Sequence, residues 1–125
     1  MLVDTDVLIW YLRGHEGAAR FLDSLPAVEL SAVTYMELVQ GCRNRQELLR
    51  LRQDLSRRQA LVLPVSEAIS NRAAALVETH ALADGLMLAD ALIAATAIER
   101  DLTLASGNVK HFRPIQGLTL QTFEV

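Results

Sequence analysis

The sequence predicts an α/β domain built on a mostly parallel sheet, and three observations carry that expectation. Short apolar runs alternate with stretches of helical period along the whole chain. Whole helices separate those runs, the pattern of strands joined by crossovers. No internal repeat or low-complexity linker breaks the alternation, so residues 1–125 read as a single domain, a length that supports one core.

Taken in order, Leu2-Val3 is the first strand, followed by helical stretches from about Val7 to Leu12 and from Ala18 to Leu25, the second ended by Pro26. Val28 to Ser31 is the second strand. Thr34 to Gln40 reads as a helix closed by Gly41, and Gln46 to Arg58 as a longer one with Leu48, Leu49, Leu51 and Leu55 on its apolar stripe. Leu61-Val62-Leu63 before Pro64 is the third strand. Ser66 caps a helix carrying Ala68, Ile69, Ala73, Leu76 and Val77, and Asp90 opens another that runs through Ile98. Leu102 to Ala105 and Leu118 to Thr122 complete five strands.

Composition narrows the class. Apolar residues make up 51% and charged residues 22%, which sets the chain apart from disordered ones. A net charge of -3 supplies no global basic field, so any nucleic acid must be met by a local patch or through metal ions. Cys42 is the single cysteine, which excludes an internal disulfide and a cysteine-rich zinc site and fits a reducing cytoplasm. Met1-Leu2-Val3 runs into Asp4 without a basic leader, and no apolar run approaches the roughly 20 residues that span a bilayer, so a soluble protein with no membrane partner is expected.

A parallel sheet gathers the carboxyl ends of its strands on one edge, where ligands collect. Asp4 and Asp6 follow strand one, Glu37 falls in the first helical turn after strand two, and Ser106 and Asn108 follow strand four. Each acid also has a structural explanation. Thr34-Tyr35-Met36-Glu37 matches a capping box, Asp90 suits a plain N-cap, and Asp4 or Asp6 suits the start of the first helix. Taken singly, those explanations prevail. The company of the acids shifts the balance: Asp4 follows an apolar strand, and Asp90 lies between Leu88-Ala89 and Ala91-Leu92-Ile93-Ala94-Ala95. Carboxylates that converge in such settings without lysine or arginine repel one another unless a divalent cation neutralises them. Hard oxygen donors point to Mg2+ or Mn2+.

These residues carry a family resemblance. Leu2-Val3-Asp4-Thr5-Asp6-Val7-Leu8-Ile9 and Ser31-Ala32-Val33-Thr34-Tyr35-Met36-Glu37-Leu38 resemble the first two acidic motifs of PIN domains. Leu88-Ala89-Asp90-Ala91-Leu92-Ile93-Ala94-Ala95-Thr96-Ala97 is similar to the third and is the most specific of them. Leu104-Ala105-Ser106-Gly107-Asn108-Val109-Lys110-His111-Phe112, followed by Ile115-Gln116-Gly117-Leu118, resembles the closing segment of VapC-type toxins. The likeness runs along essentially the whole chain.

The resemblance implies a three-layer fold with a central five-stranded sheet flanked by helices. It also implies a metal-dependent endoribonuclease, the toxin of a toxin-antitoxin pair, acting on RNA as a homodimer and controlled by a cognate antitoxin. By the same resemblance Asp4, Glu37 and Asp90 are the metal ligands, Asn108 joins them in catalysis, and Thr5, Asp6, Thr34 and Ser106 are candidates for support. Many family members place a fourth carboxylate where this chain has Asn108. An amide offers an oxygen or a hydrogen bond but balances no cation charge, which sets the count of metal ions open at one or two.

Other polar residues are weighed against plainer roles. Arg43, Arg45, Arg50, Arg52, Arg57 and Arg58 put half of the 12 basic residues in one helical stretch, read as a solvated face with ion pairs around Glu47 and Asp54. Lys110 and His111 lie near enough to Asn108 to touch substrate, with a plain polar loop as the equal alternative. His15 and His80 lack a second ligand at metal spacing and are read as surface residues, Trp10 and Tyr11 as core or interface, Cys42 as inert. Two other acidic-pocket classes are poor fits. A haloacid-dehalogenase-like phosphatase matches Asp4-Thr5-Asp6, but Lys110 is the sole lysine and there is no room for a cap. A response-regulator receiver needs an aspartate ending strand three, where Leu61-Val62-Leu63-Pro64 has none. The remaining alternative is a PIN-like RNA- or protein-binding module impaired by Asn108.

Overall fold

In the computed structural model, which describes residues 1–125, five short strands form one sheet. They are β1 (Leu2–Val3), β2 (Glu29–Ser31), β3 (Leu61–Leu63), β4 (Leu104–Ser106) and β5 (Leu120–Thr122), in the order β3-β2-β1-β4-β5. All four neighbouring pairs are parallel, so the expected mostly parallel sheet is parallel throughout. Helices make the crossovers: α1 (Thr5–Leu12) and α2 (Glu16–Asp23) lead to β2, α3 (Ala32–Gln40) and α4 (Arg45–Arg57) to β3, α5 (Glu67–Asp84) and α6 (Leu88–Glu99) to β4. Turns alone join β4 to β5.

Two apolar layers hold such short strands in place. Successive strand residues point to opposite faces. Leu2 accordingly packs with Ile69, Ala73, Ile93 and Phe112 under α5 and α6, whereas Val3 packs with Val7, Leu8, Leu22 and Leu38 on the side of α1 to α4. Both are fully buried, and hiding each contributes about 1.5–3 kcal/mol. The result is the three-layer arrangement the resemblance implied. No helix is long and apolar enough to cross a membrane.

Helix starts depart from the sequence reading where a different residue supplies the cap. Ser31, the last residue of β2, accepts from Val33 N–H at 3.1 Å and starts α3 at once. The Thr34–Glu37 capping box therefore does not form, and Glu37 lies in the second turn, not the first. Asp90 does not open α6 either. The helix begins at Leu88 behind Met87, which makes no side-chain cap, and Asp90 is its third residue. Ser66 caps α5 as expected, accepting from Ile69 N–H, and Gly85 ends that helix in the left-handed region at φ 71.

The strand order reverses direction between β1 and β4. Open parallel sheets bind ligands in the crevice beyond the carboxyl ends at such a point, and the residues beyond those two ends are Asp4 and the 106–108 turn.

Candidate functional site

Asp4 leaves the sheet with its N–H on the Ala105 carbonyl (2.9 Å) and becomes the N-cap of α1. One carboxylate oxygen accepts from Thr5 N–H at 2.8 Å, the other from Ser106 Oγ at 2.7 Å. The capping explanation thus holds for this residue, and its second oxygen is tied to the turn after β4. Burial leaves it 6% exposed and pushes its carboxyl up to about 7. The Ser106 and Thr5 hydrogen bonds oppose that rise, and the charges of Asp6 and Asp90 add to it.

Glu37 reaches the same edge from α3. Thr5 Oγ1 lies 2.7 Å from Glu37 Oε1 and 2.9 Å from Thr34 Oγ1. A hydroxyl has one proton and an ionised carboxylate only accepts. Thr5 therefore donates to Glu37, and the buried Thr34 hydroxyl completes the relay. Both threonines orient the acid.

Asp90 enters from the first turn of α6, half-buried and without a hydrogen bond or ion pair on its carboxylate. Burial pushes its carboxyl up; His111 opposes the rise, while Glu37 and Asp6 reinforce it. Asp6, on α1, accepts from Val7 N–H at 2.7 Å and from Gly107 N–H at 2.9 Å, and burial raises its carboxyl too. Ser106 is fully buried and Asn108 exposed, with the Asn108 N–H on Ser106 Oγ at 3.0 Å. Four carboxylates from three helices thus lie near one another, and none of them is in a salt bridge. No three of the chain's acids, histidines and cysteines stand close enough together to hold a metal ion between them. Carboxylate oxygens are the donors a hard divalent cation takes, and at this open face water and substrate oxygens would have to supply most of its shell.

Histidines depart most from expectation. His15 is no surface residue: its Nδ1 accepts from Ala18 N–H at 3.0 Å, capping α2, and its ring lies 5.4 Å from that of Trp10. His80 Nδ1 meets Asp84 Oδ2 at 2.6 Å, with only 14% of its side chain exposed. His111 lies 2.9 Å from the Asp84 carbonyl, an acceptor, so Nδ1 carries the proton. The sequence signal for these was an i,i+4 His80–Asp84 spacing and an N-terminal position in the helix for His15.

The basic stretch behaves as expected. Arg43 pairs with Glu47 at 3.0 Å and Arg57 with Asp54, while Arg58 crosses to Asp23 at 2.8 Å and lies 4.4 Å over the Tyr11 ring. Arg43 and Arg50 also line a cleft of about 570 Å³ that has Glu37 in its wall.

Comparison with known proteins bears on all of this. Residues 1–116 match the family described as PIN domain. Ribonuclease VapC10 of Mycobacterium tuberculosis is 38% identical over 118 residues, covering 90% of this chain and 85% of the relative. A toxin-antitoxin complex from Klebsiella pneumoniae contains a chain that superposes with a TM-score of 0.83 at 32% identity, over 99% of this chain and 98% of that one. For VapBC-1 of nontypeable Haemophilus influenzae the TM-score is 0.76 at 27% identity, over 97% and 96%.

Proposed function

The chain belongs to the PIN-domain family, and from that premise we propose that it is a metal-dependent endoribonuclease, the toxin of a toxin-antitoxin pair. The observation that carries this reading is the group of four unpaired carboxylates, one with its carboxyl near 7, on a sheet edge that collects ligands. Asp4, Glu37 and Asp90 hold Mg2+ or Mn2+. The relatives' own descriptions as a ribonuclease and as toxin-antitoxin complexes support RNA as substrate and an antitoxin protein as partner. A homodimer working in the cytoplasm completes the proposal.

A bound divalent ion would supply an activated water and shield the charge of the scissile phosphate. The chain's residues prepare that chemistry. Ser106 fixes one oxygen of Asp4, Thr5 and Thr34 aim Glu37, and Asp90 keeps its oxygens free of protein partners. Asn108, exposed at the turn, offers an amide to the RNA backbone. No histidine is needed to move a proton.

The test is cleavage of a total RNA pool by antitoxin-free protein, with Mg2+ or Mn2+ and with chelator, beside Asp90→Asn. Cutting should require the metal and fall in the variant by more than about a hundredfold, the upper range for a residue that only supports a ligand. The variant should fold normally, because it removes one of several like charges. Equal cutting by Asp90→Asn would sink the assignment. Metal-dependent RNA binding without any cutting would favour the impaired binding module.

A further inference from the structure

The second aspartate of Asp4-Thr5-Asp6 has no part in the reaction above, yet its surroundings are specific. Asp6 Oδ2 accepts from Gly107 N–H at 2.9 Å, 101 residues away in sequence. The approach needs a residue without a side chain: a Cβ on Gly107 would stand 2.9 Å from Asp6 Oδ2 and 3.3 Å from the Phe123 carbonyl oxygen. On the other side, Phe123 N–H donates to the Ser106 carbonyl at 2.8 Å. The 106–108 turn is thereby clamped between α1 and the end of β5. From it Ser106 reaches Asp4 and the neutral Asn108 faces solvent.

We propose that Asp6 is the positioning residue of this site: it latches the 106–108 turn through Gly107 N–H, and it gives the cluster the fourth negative charge that Asn108 does not carry. The inference rests on the metal-centre reading. The fourth charge comes from the helix after β1 in place of the turn after β4, and Gly107 is the residue that lets the two meet.

The experiment is Mn2+ titration by calorimetry on the purified full chain and its variants, with unfolding midpoints taken first. Asp6→Asn keeps an oxygen for Gly107 N–H and removes only charge, so it should weaken Mn2+ binding roughly tenfold, within the range for residues that support a metal site. Adding Asn108→Asp puts the charge back on the turn and should restore affinity to within about threefold. Gly107→Ala drives a methyl into the carboxylate and should also weaken binding. Gly107→Ala should cost far less on top of Asp6→Ala than it does in the wild type, because the second change removes the 2.9 Å contact and leaves only the 3.3 Å approach to the Phe123 carbonyl. Failure of Asn108→Asp to rescue, or losses that multiply in the double alanine variant, would overturn the proposal. If Gly107→Ala does not fold, the Asn exchange still decides it. Mn2+ binding that follows this pattern in a protein that cuts no RNA would refute the nuclease and leave Asp6 its role.

Discussion

The edge that gathers Asp4, Asp6, Glu37 and Asp90 and the helix α4 are both rich in charge and treat it in opposite ways. Along α4, Glu47 and Asp54 each meet an arginine three or four positions away, at the exposed surface. Such pairs keep both partners soluble and contribute little. At the edge, the acids meet backbone N–H groups, hydroxyls and one another, and no arginine or lysine. Holding like charges together half-buried is unfavourable unless something positive arrives. Charge content therefore says little about function in this chain, and the kind of partner each acid has says a great deal.

The largest effect that tests this contrast is a dependence of stability on pH. Asp4 binds its proton more tightly in the folded chain, with its carboxyl moved from 3.8 to about 7. A raised carboxyl favours the folded state fully below the unfolded value, and that advantage is lost as pH climbs from about 4 through 7. The span corresponds to about 4 kcal/mol. Asp4→Asn, which does not ionise, should gain on the wild type by that order between pH 4.5 and pH 8 in metal-free denaturant titrations. Saturating Mn2+ at pH 8 should close the gap, since a ligand of the folded state alone stabilises it. Parallel pH profiles for the two proteins would show that the edge carries no electrostatic penalty, and the contrast with α4 would fall.

How legible this was depended on which cap won. The alternation of strands and helices and the five strands could be read from the sequence, because periodicity is a local feature; Asp4, Glu37 and Asp90 were singled out by the family resemblance, and the fold brings their carboxylates near one another. The freedom of Glu37 could not be read locally. Thr34-Tyr35-Met36-Glu37 has the form of a capping box, and only the direct run from β2 into α3 hands the cap to Ser31. A related arrangement does occur at α4, where Asn44 Oδ1 accepts from Glu47 N–H and Glu47 Oε1 accepts from Arg43 N–H. Asp90 was misread as a cap for the same reason, since α6 starts two residues earlier on a side chain that caps nothing. The Asp6–Gly107 contact joins residues 101 apart, and no local pattern announces it.

An intermediate effect should follow from Ser106. Its hydroxyl donates to Asp4 and accepts from Asn108 N–H while fully buried, so Ser106→Ala strands both partners at once. Loss of a buried hydrogen bond to a charged group costs about 1.5–3 kcal/mol. The loss should be larger at pH 8, with Asp4 ionised, than at pH 4.5, because charge-assisted bonds are the stronger ones. Denaturation midpoints of wild type and variant at the two pH values measure it. A cost independent of pH would mean that the serine serves the turn and not the acid.

The smallest effect belongs to the helix that served as the foil. Arg43 holds Glu47 in a bond that lowers the glutamate carboxyl and raises the guanidinium, yet both groups stand in water. The sign is the ordinary one: the pair favours the folded chain above the usual glutamate range and ceases to as pH falls through it. Solvent and salt screen the interaction, and two long side chains must be ordered to make it. Arg43→Ala should therefore leave the thermal midpoint unchanged at low and at high salt, and the same protein should bind Mn2+ like the wild type, since Glu47 is no part of the edge. A midpoint that drops in low salt and recovers in high salt would place real electrostatic weight on α4. The two regions would then differ in the sign of their charge economy only, and pairing would cease to be a guide to which acids work.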